Sequence, residues 1–477
     1  MSSGYNIKAS SLSCKQQIGK RTEIVGKPSF LLPLSPVKPR KFYIETYGCQ
    51  MNVADSEVVA AILQQDDYRH TEHPEEADLI LVNTCSVREH AEQRVRSRLR
   101  ELGRIKRQNP HLKMGVIGCM AERLKEKLLA EEVLVDLVAG PDAYRELPSL
   151  LRETGEGRKG INTLLSDEET YADISPVRMD QYHVSSFVSI MRGCNNFCAF
   201  CVVPSTRGRE RSRDPGSVIS ETRELFSQGY REVTLLGQNV NSYRWSGNGK
   251  GLTFEQLLGQ VAEIDPLLRV RFTTSHPKDM SDELLKQMAR YPNICKSIHL
   301  PAQSGSTPVL RRMKRRYSRE DYMRRVEAIW KYLPGASIST DIITGFCGES
   351  EEDHRQTLSL MEWAGFDFSF MFKYSERPDT FAAKHYVDDV PEHVKTRRLN
   401  EIIDLQTGLS LESKQKEVGQ THEVLVEGTS RKSPDHLFGR TSGNKGVVFP
   451  RGSHRPGDLV KVHIMDCTSA TLIGELV

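Results

Sequence analysis

The sequence predicts an α/β protein in three parts: an N-terminal open parallel α/β domain, a central partial (β/α) barrel and a small antiparallel β-barrel of the OB-like type at the end. Three observations predict it. Between Lys41 and Ala130, short apolar runs alternate with helix-like stretches. The same alternation returns from Val184 with roughly six runs. From about Lys414 the pattern changes to short β-rich runs separated by Gly, Pro and Ser turns.

The chain has 477 residues and a net charge of +3. That length suits about three domains. The near-balanced charge leaves any nucleic-acid partner to local basic patches. No apolar run reaches the roughly 18–20 residues that cross a bilayer. Residues 1–39 are rich in Ser, Lys and Pro and have no apolar signal-peptide core. They are expected to be a disordered leader on a cytoplasmic protein, with a mitochondrial-type presequence as the other reading. Ten cysteines in an unsecreted chain favour metal binding or catalysis over a disulfide framework.

The first part, residues 40–156, repeats one unit three times: a strand, a cysteine at its end, then a helix. The strands run over 41–48, 77–84 and 114–118 and end on Cys49, Cys85 and Cys119, with helices expected over 55–65, 88–102 and 121–130. In a parallel sheet the carboxyl ends of the strands share one edge. Three cysteines far apart in sequence are therefore expected to converge there. A single such thiol reads as a small buried hydrophobe; three at one structural position point to a metal site. An acidic linker over about 153–173 follows. The second part, 180–412, opens with a strand over 186–191 that runs into Cys194. Further strands are expected over 232–236, 269–272, 297–300 and 337–343, separated by helices such as 218–229 and 319–332. This suggests an open or partial barrel. The tail, 414–477, carries β-rich runs over 423–426 and 459–464.

Cys194, Cys198 and Cys201 form a CxxxCxxC run. Three thiolates hold three irons of a [4Fe–4S] cube and leave the fourth iron open. An open position marks catalytic rather than structural metal. A zinc knot needs a fourth ligand in a paired unit, and none lies nearby in the sequence. The spacing, the preceding strand and the α/β context match the signature of radical S-adenosylmethionine (SAM) enzymes. In that superfamily SAM chelates the open iron, and one electron from the cluster releases a 5′-deoxyadenosyl radical. Cys49, Cys85 and Cys119 again offer three ligands and no obvious fourth. A second [4Fe–4S] cluster with an open iron is therefore expected, able to present sulfide for transfer, with about eight irons per chain in all. Cys14 falls in the leader, and Cys295 and Cys467 read as structural.

Arg207, Arg209, Arg211 and Arg213 follow the cluster loop. They are expected to bind anions: RNA phosphates, the SAM carboxylate or a cluster. The segment 311–325 carries eight Lys/Arg and 94–107 carries seven. Both read either as solvated helix faces or as an RNA backbone footprint. In the tail, Arg431, Lys432, Arg440 and Lys445 crowd the turns, and basic loops on such barrels track nucleic-acid strands. Gly237, Gln238 and Asn239 end one strand, Gln303 and Ser304 follow another, and Asp341 lies on a third. These are expected SAM contacts, with Gln238 directed at the SAM amino group.

Together these motifs resemble the radical SAM methylthiotransferases, specifically the MiaB type that acts on tRNA. The resemblance runs from about Arg40 to the end. It includes Tyr47 to Asn52, Asn83 to Arg88, Gly118 to Ala121, the Cys194 loop with Arg207 to Arg213, His299 to Gly305, and a tail similar to the RNA-binding TRAM module. The resemblance implies conversion of N6-(dimethylallyl)adenosine at tRNA position 37 to its 2-methylthio derivative. One SAM would methylate a sulfur on the auxiliary cluster, and a second would supply the radical that removes the adenine C2 hydrogen. The implied partners are tRNA, an electron donor and iron–sulfur assembly or sulfur-supply proteins, with no membrane and a monomeric chain. The alternatives are a sister enzyme acting on a ribosomal-protein aspartate or on threonylcarbamoyl-adenosine tRNA, and a non-catalytic iron–sulfur RNA-binding protein. One departure is visible: Cys347 stands where relatives usually have Pro, and is expected to be a harmless replacement.

Overall fold

The N-terminal sheet is built from strands whose apolar runs are nearly continuous, as expected when both faces are covered. The computed structural model describes residues 39–85, 89–154, 158–249 and 251–477. The leader to residue 38 with Cys14, and residues 86–88 of the second cysteine unit, lie outside the described residues. The strands are β1 (Arg40–Tyr47), β2 (Tyr68–His70), β3 (Leu79–Thr84), β4 (Lys113–Gly118), β5 (Leu137–Ala139) and β6 (Gly160–Asn162). They pair in parallel throughout, in the order β2-β1-β3-β4-β5-β6. The helices are α1 (Gln50–Gln65), α2 (Glu89–Gln108), α3 (Cys119–Leu124), α4 (Glu126–Glu131) and α5 (Leu147–Thr154). Alternate residues of β3 feed two cores: Leu79 and Leu81 pack under α1 and α5, while Ile80 and Val82 pack on the α2 side. The strand order reverses between β1 and β3. Ligand crevices open at such switch points, beyond the carboxyl ends of the strands.

The central part carries six parallel strands in two three-stranded groups among the described residues. Strands β7 (Ser185–Ser189), β10 (Glu232–Leu236) and β13 (Arg269–Thr273) form one, with β10 in the middle. Strands β14 (Ser297–His299), β15 (Ser337–Thr344) and β16 (Phe368–Lys373) form the other, with β15 in the middle. This is the open barrel that was expected. Short antiparallel pairs, β8 (Met191–Arg192) with β9 (Arg211–Ser212) and β11 (Arg244–Trp245) with β12 (Leu252–Thr253), sit on the connections. Helix α6 (Val203–Arg207) follows the Cys194 loop, and α7 (Pro215–Ser227), α8 (Phe254–Ala262), α9 (Asp282–Arg290), α10 (Thr307–Arg312), α11 (Arg319–Tyr332), α12 (Glu351–Ala364) and α13 (Phe381–His385) complete the units. The large core joins the inward faces of these helices to the strands, with Leu235, Val270, Ile298 and Ile342 fully buried. Of the six parallel strands, β16 is the one not expected from the sequence.

Helix α14 (Glu392–Gln415) leads into the tail, where β17 (Thr421–Thr429), β18 (His436–Thr441), β19 (Gly446–Pro450), β20 (Leu459–Cys467) and β21 (Leu472–Leu476) close into a barrel. Its pairs are antiparallel except β19 with β21, which is parallel. This is the small antiparallel barrel expected; closing five strands in the order β17-β18-β19-β21-β20 forces the one parallel contact.

Candidate functional site

Each cysteine of the first triad sits just past a strand end. Cys49 precedes α1 and is exposed, Cys85 follows β3 and is buried, and Cys119 opens α3 and is buried. The glycines before two of them have a steric reason. Gly48 has φ +153°, and a Cβ there would lie 2.7 Å from Cys85 Cβ. Gly118 has φ +91°, and a Cβ would meet Asn83 Oδ1 at 2.4 Å and the Thr84 carbonyl at 2.8 Å. Bare backbone therefore lets the three strand ends close up. A buried amide pair pins the arrangement: Asn52 Nδ2 donates to Asn83 Oδ1 at 2.9 Å, and Asn83 Nδ2 donates to the Asn52 carbonyl at 2.8 Å.

The thiols are electrostatically uneven. Cys49 is lowered to about 6, chiefly by its hydrogen bond with Cys85, with Arg207 adding positive charge. Burial pushes the Cys119 thiol up while Arg207 pulls it down. Among the described residues, no three ligand side chains converge tightly enough to hold a single metal ion. A [4Fe–4S] cube takes soft thiolate ligands, one to each iron, and three thiols at one strand-end crevice have the chemistry of that donor set.

The second triad lies past β8. Gly193 has φ +76°, and a Cβ there would come within 1.9 Å of the Arg209 carbonyl, so the chain after the loop folds back directly against its start. The loop is stitched down at Ala199, next to Cys198: Ala199 N donates to the Met313 carbonyl at 2.9 Å, and Ala382 N donates to the Ala199 carbonyl at 2.7 Å. Arg315 Nη1 donates to Cys198 Sγ at 3.3 Å, and Val203 N donates to Cys201 Sγ at 3.4 Å. Burial and the neighbouring Cys198 hold the Cys201 thiol up at about 12, and burial raises Cys194 as well. A metal bound here would displace the thiol protons, so occupancy would depend on pH.

Unsatisfied polar atoms mark the adjoining crevice. Gln238 Oε1, Asn239 Oδ1, Ser275 Oγ, His276 Nε2 and Gln303 Oε1 are buried without hydrogen-bond partners. All lie past the carboxyl ends of β10, β13 and β14. Each such orphan costs about 1–3 kcal/mol, so their concentration at one strand edge suits a polar ligand. Asn239 is anchored by its other atom, donating to Asp279 at 2.7 Å. Gln303 is held by its backbone, in the left-handed region at φ +67° and donating to the Asp341 carbonyl at 2.8 Å. Gly237 has a packing reason: a Cβ there would lie 2.3 Å from Met191 Cγ. Ser304 is turned inward, with its hydroxyl 3.3 Å from Thr357 Oγ1 and accepting from Ser306 N. Asp341 stands 3.4 Å from His299 Nε2 on the inner face of the barrel.

The arginine-rich segment goes elsewhere than its charge suggests. Arg207 donates to Asp55 at 2.8 Å and, through Nε, to Cys119 Sγ at 3.2 Å. Arg211 pairs with Asp142 at 3.0 Å, and Arg213 with Glu221. All three are buried; Arg209 is exposed. Arg192, which sequence reasoning passed over, is 2 % exposed and bonds Asp55 at 2.8 Å. In the tail, Arg431 and Lys432 are exposed on the turn after β17. Arg440 instead pairs with Glu232 at 2.7 Å, and Lys445 with Asp367 at 3.0 Å and with Glu417. Asp55 and Arg192 gave no sequence signal of their own, though helical register sets Asp55 a turn and a half past Cys49; Arg315 lay in the basic run 311–325, read as a solvated face or an RNA footprint, and is instead buried against Cys198. Cys347 is buried beside Phe346 and Tyr374.

Comparison with known proteins covers all three parts. Residues 41–140 match the Uncharacterized protein family UPF0004, residues 188–361 the Radical SAM superfamily and residues 415–477 the TRAM domain. The chain is 57% identical over 437 residues to a tRNA-2-methylthio-N(6)-dimethylallyladenosine synthase of Bacteroides fragilis, covering 91% of this chain and 95% of the relative. It is 56% identical to the protein of that name from Amoebophilus asiaticus, covering 93% of each. The radical SAM methyltransferase TsrM of Kitasatospora setae, solved with tryptophan and a SAM analog, shares the fold at 15% identity. Its TM-score is 0.54, over 72% of this chain and 75% of that one. Similarity of this extent across every part of the chain makes it a member of the tRNA-2-methylthio-N(6)-dimethylallyladenosine synthase family within the radical SAM superfamily.

Proposed function

We propose that this enzyme converts N6-(dimethylallyl)adenosine in tRNA to its 2-methylthio derivative, using SAM both as methyl source and as radical source. The single observation that carries the reading is the meeting of two three-cysteine sites. Helix α6 leaves the Cys194 loop and ends on Arg207, which touches Cys119. The names of relatives alike over nearly their whole length support the substrate.

Cys194, Cys198 and Cys201 would hold the cluster that binds SAM, and Cys49, Cys85 and Cys119 an auxiliary cluster. When bound, the first supplies an open iron and one electron for SAM cleavage, and the second supplies an open iron for sulfur. The residues of the chain do the rest. Gln238, Asn239 and Gln303 offer acceptor oxygens to the SAM amino group and hydroxyls, with Gly237, Ser304 and Asp341 shaping the same crevice. Arg209, Arg431 and Lys432 are the exposed cations proposed to meet RNA phosphate, whereas Arg207, Arg211, Arg213, Arg440 and Lys445 serve inside the protein. An electron donor, a sulfur-supply protein, a monomeric state and a cytoplasmic location belong to the same proposal.

The test is mass spectrometry of tRNA nucleosides after anaerobic reaction of reconstituted, reduced enzyme with SAM and dimethylallyl-modified tRNA. The 2-methylthio nucleoside is expected, together with 5′-deoxyadenosine. Unchanged dimethylallyladenosine would defeat the assignment. Iron analysis should give about eight per chain, falling to about four when Cys49, Cys85 and Cys119 are replaced by Ala.

A further inference from the structure

Arg207 belongs by its backbone to the Cys194 loop, four residues into the helix that follows Cys201. Its side chain reaches the other way, to the edge of the N-terminal sheet. Nε donates to Cys119 Sγ at 3.2 Å and Nη2 donates to Asp55 at 2.8 Å, while Nη1 is buried without a partner. The side chain is 4 % exposed. The surrounding network is Asp55, Asp142, Arg192, Arg207 and Arg211, all buried. Its guanidinium groups outnumber its carboxylates by one. A buried cation is costly unless an anion faces it; Arg207 shares Asp55 with Arg192, and its Nε is directed at the sulfur of Cys119. Arg315 repeats the arrangement at the other triad, buried and donating to Cys198 Sγ at 3.3 Å.

We propose that Arg207 is a positioning residue for the auxiliary cluster: its hydrogen bond and charge draw electron density from the Cys119 sulfur, raise the reduction potential of that cluster, and tie its geometry to the Cys194 loop. Hydrogen bonds to ligand sulfurs and charges placed beside the ligands set cluster potentials in this way. The inference rests on the second-cluster reading above.

The test uses the full-length chain with Ala at Cys194, Cys198 and Cys201, so that bound iron reports the auxiliary site. In that background the parent, Arg207→Gln, Arg207→Lys and Arg192→Lys are compared by iron content and by EPR-monitored redox titration. The parent is expected to hold about four irons. Arg207→Gln should move the midpoint to more negative potential, and Arg207→Lys should move it less, keeping charge but losing the Nε donor. Arg192→Lys should leave it near the parent value. If Arg207→Gln does not fold or load, the Lys variant still reads the potential. An unmoved midpoint in a loaded position-207 variant overturns the inference alone, as does an equal shift from Arg192→Lys, which would make the effect one of buried charge in general. A parent without iron overturns the second-cluster reading, and this inference with it.

Discussion

His276 shows how one residue couples the site to pH. It follows β13, is 4 % exposed, and its Nδ1 accepts from Lys278 N at 3.2 Å. Burial, aided by the positive charge of Arg315, pushes its imidazole down to about 2 from an ordinary 6.5. A depressed pKa contributes stability that is fully present above about pH 6.5 and is lost as the pH falls toward 2. His276→Gln removes that titration. The fall in Tm between pH 7 and pH 5 should therefore be smaller in the variant than in the parent. Identical pH profiles by calorimetry would show that the ring is free to charge in the folded state.

At the scale of elements, the meeting of Cys49, Cys85 and Cys119, the proposed auxiliary site, depends on strand ends that glycine allows to approach. Gly118→Ala places a methyl against Asn83 Oδ1 and the Thr84 carbonyl at a φ of +91°. The backbone strain alone costs about 1–3 kcal/mol. The expected outcome is loss of auxiliary iron, roughly half the total, while SAM cleavage at the Cys194 site persists. Helix α1 is the matching support. Asp55 on it bonds Arg192 and Arg207 of the central part, and Glu57, on another side of the helix, bonds Arg178 just ahead of that part. Met51 and Ala54 on the same helix pack on Leu236. The helix thus fixes Cys49 at its start and joins the two parts along its length.

At the scale of the whole molecule, the tail barrel docks at the amino ends of the central strands, opposite the cysteines. Glu232, fully buried, faces Arg271 at 2.7 Å, Arg440 at 2.7 Å and Arg269 at 3.6 Å. Arg271 also donates to the Thr441 and Ser442 carbonyls at 2.7 and 3.0 Å. Removing one partner of such a buried network costs about 3–5 kcal/mol. Glu232→Gln should lower Tm clearly and make the tail an early target of limited proteolysis. The exposed turn with Arg431 and Lys432 should behave differently: Arg431→Ala with Lys432→Ala should leave Tm unchanged. It should reduce the salt dependence of tRNA binding by about one ion per lost contact. An unaltered salt slope would remove that turn from the RNA surface.

The sequence by itself determined the two cysteine triads, the βα units and the barrel at the end, because spacing, strand-end position and hydrophobic period are local properties. Strand β16 has a local signal too, in the alternation Phe366, Phe368, Phe370, Phe372. Only the tertiary structure decided where the charged side chains go. Arg207, Arg211, Arg213, Arg440 and Lys445 look alike in sequence to Arg209, Arg431 and Lys432, yet the first five are taken by carboxylates on other elements. A cation's role is set by the nearest opposite charge. For Arg207 that charge is Asp55, 152 residues away in the chain, and packing alone brings it close.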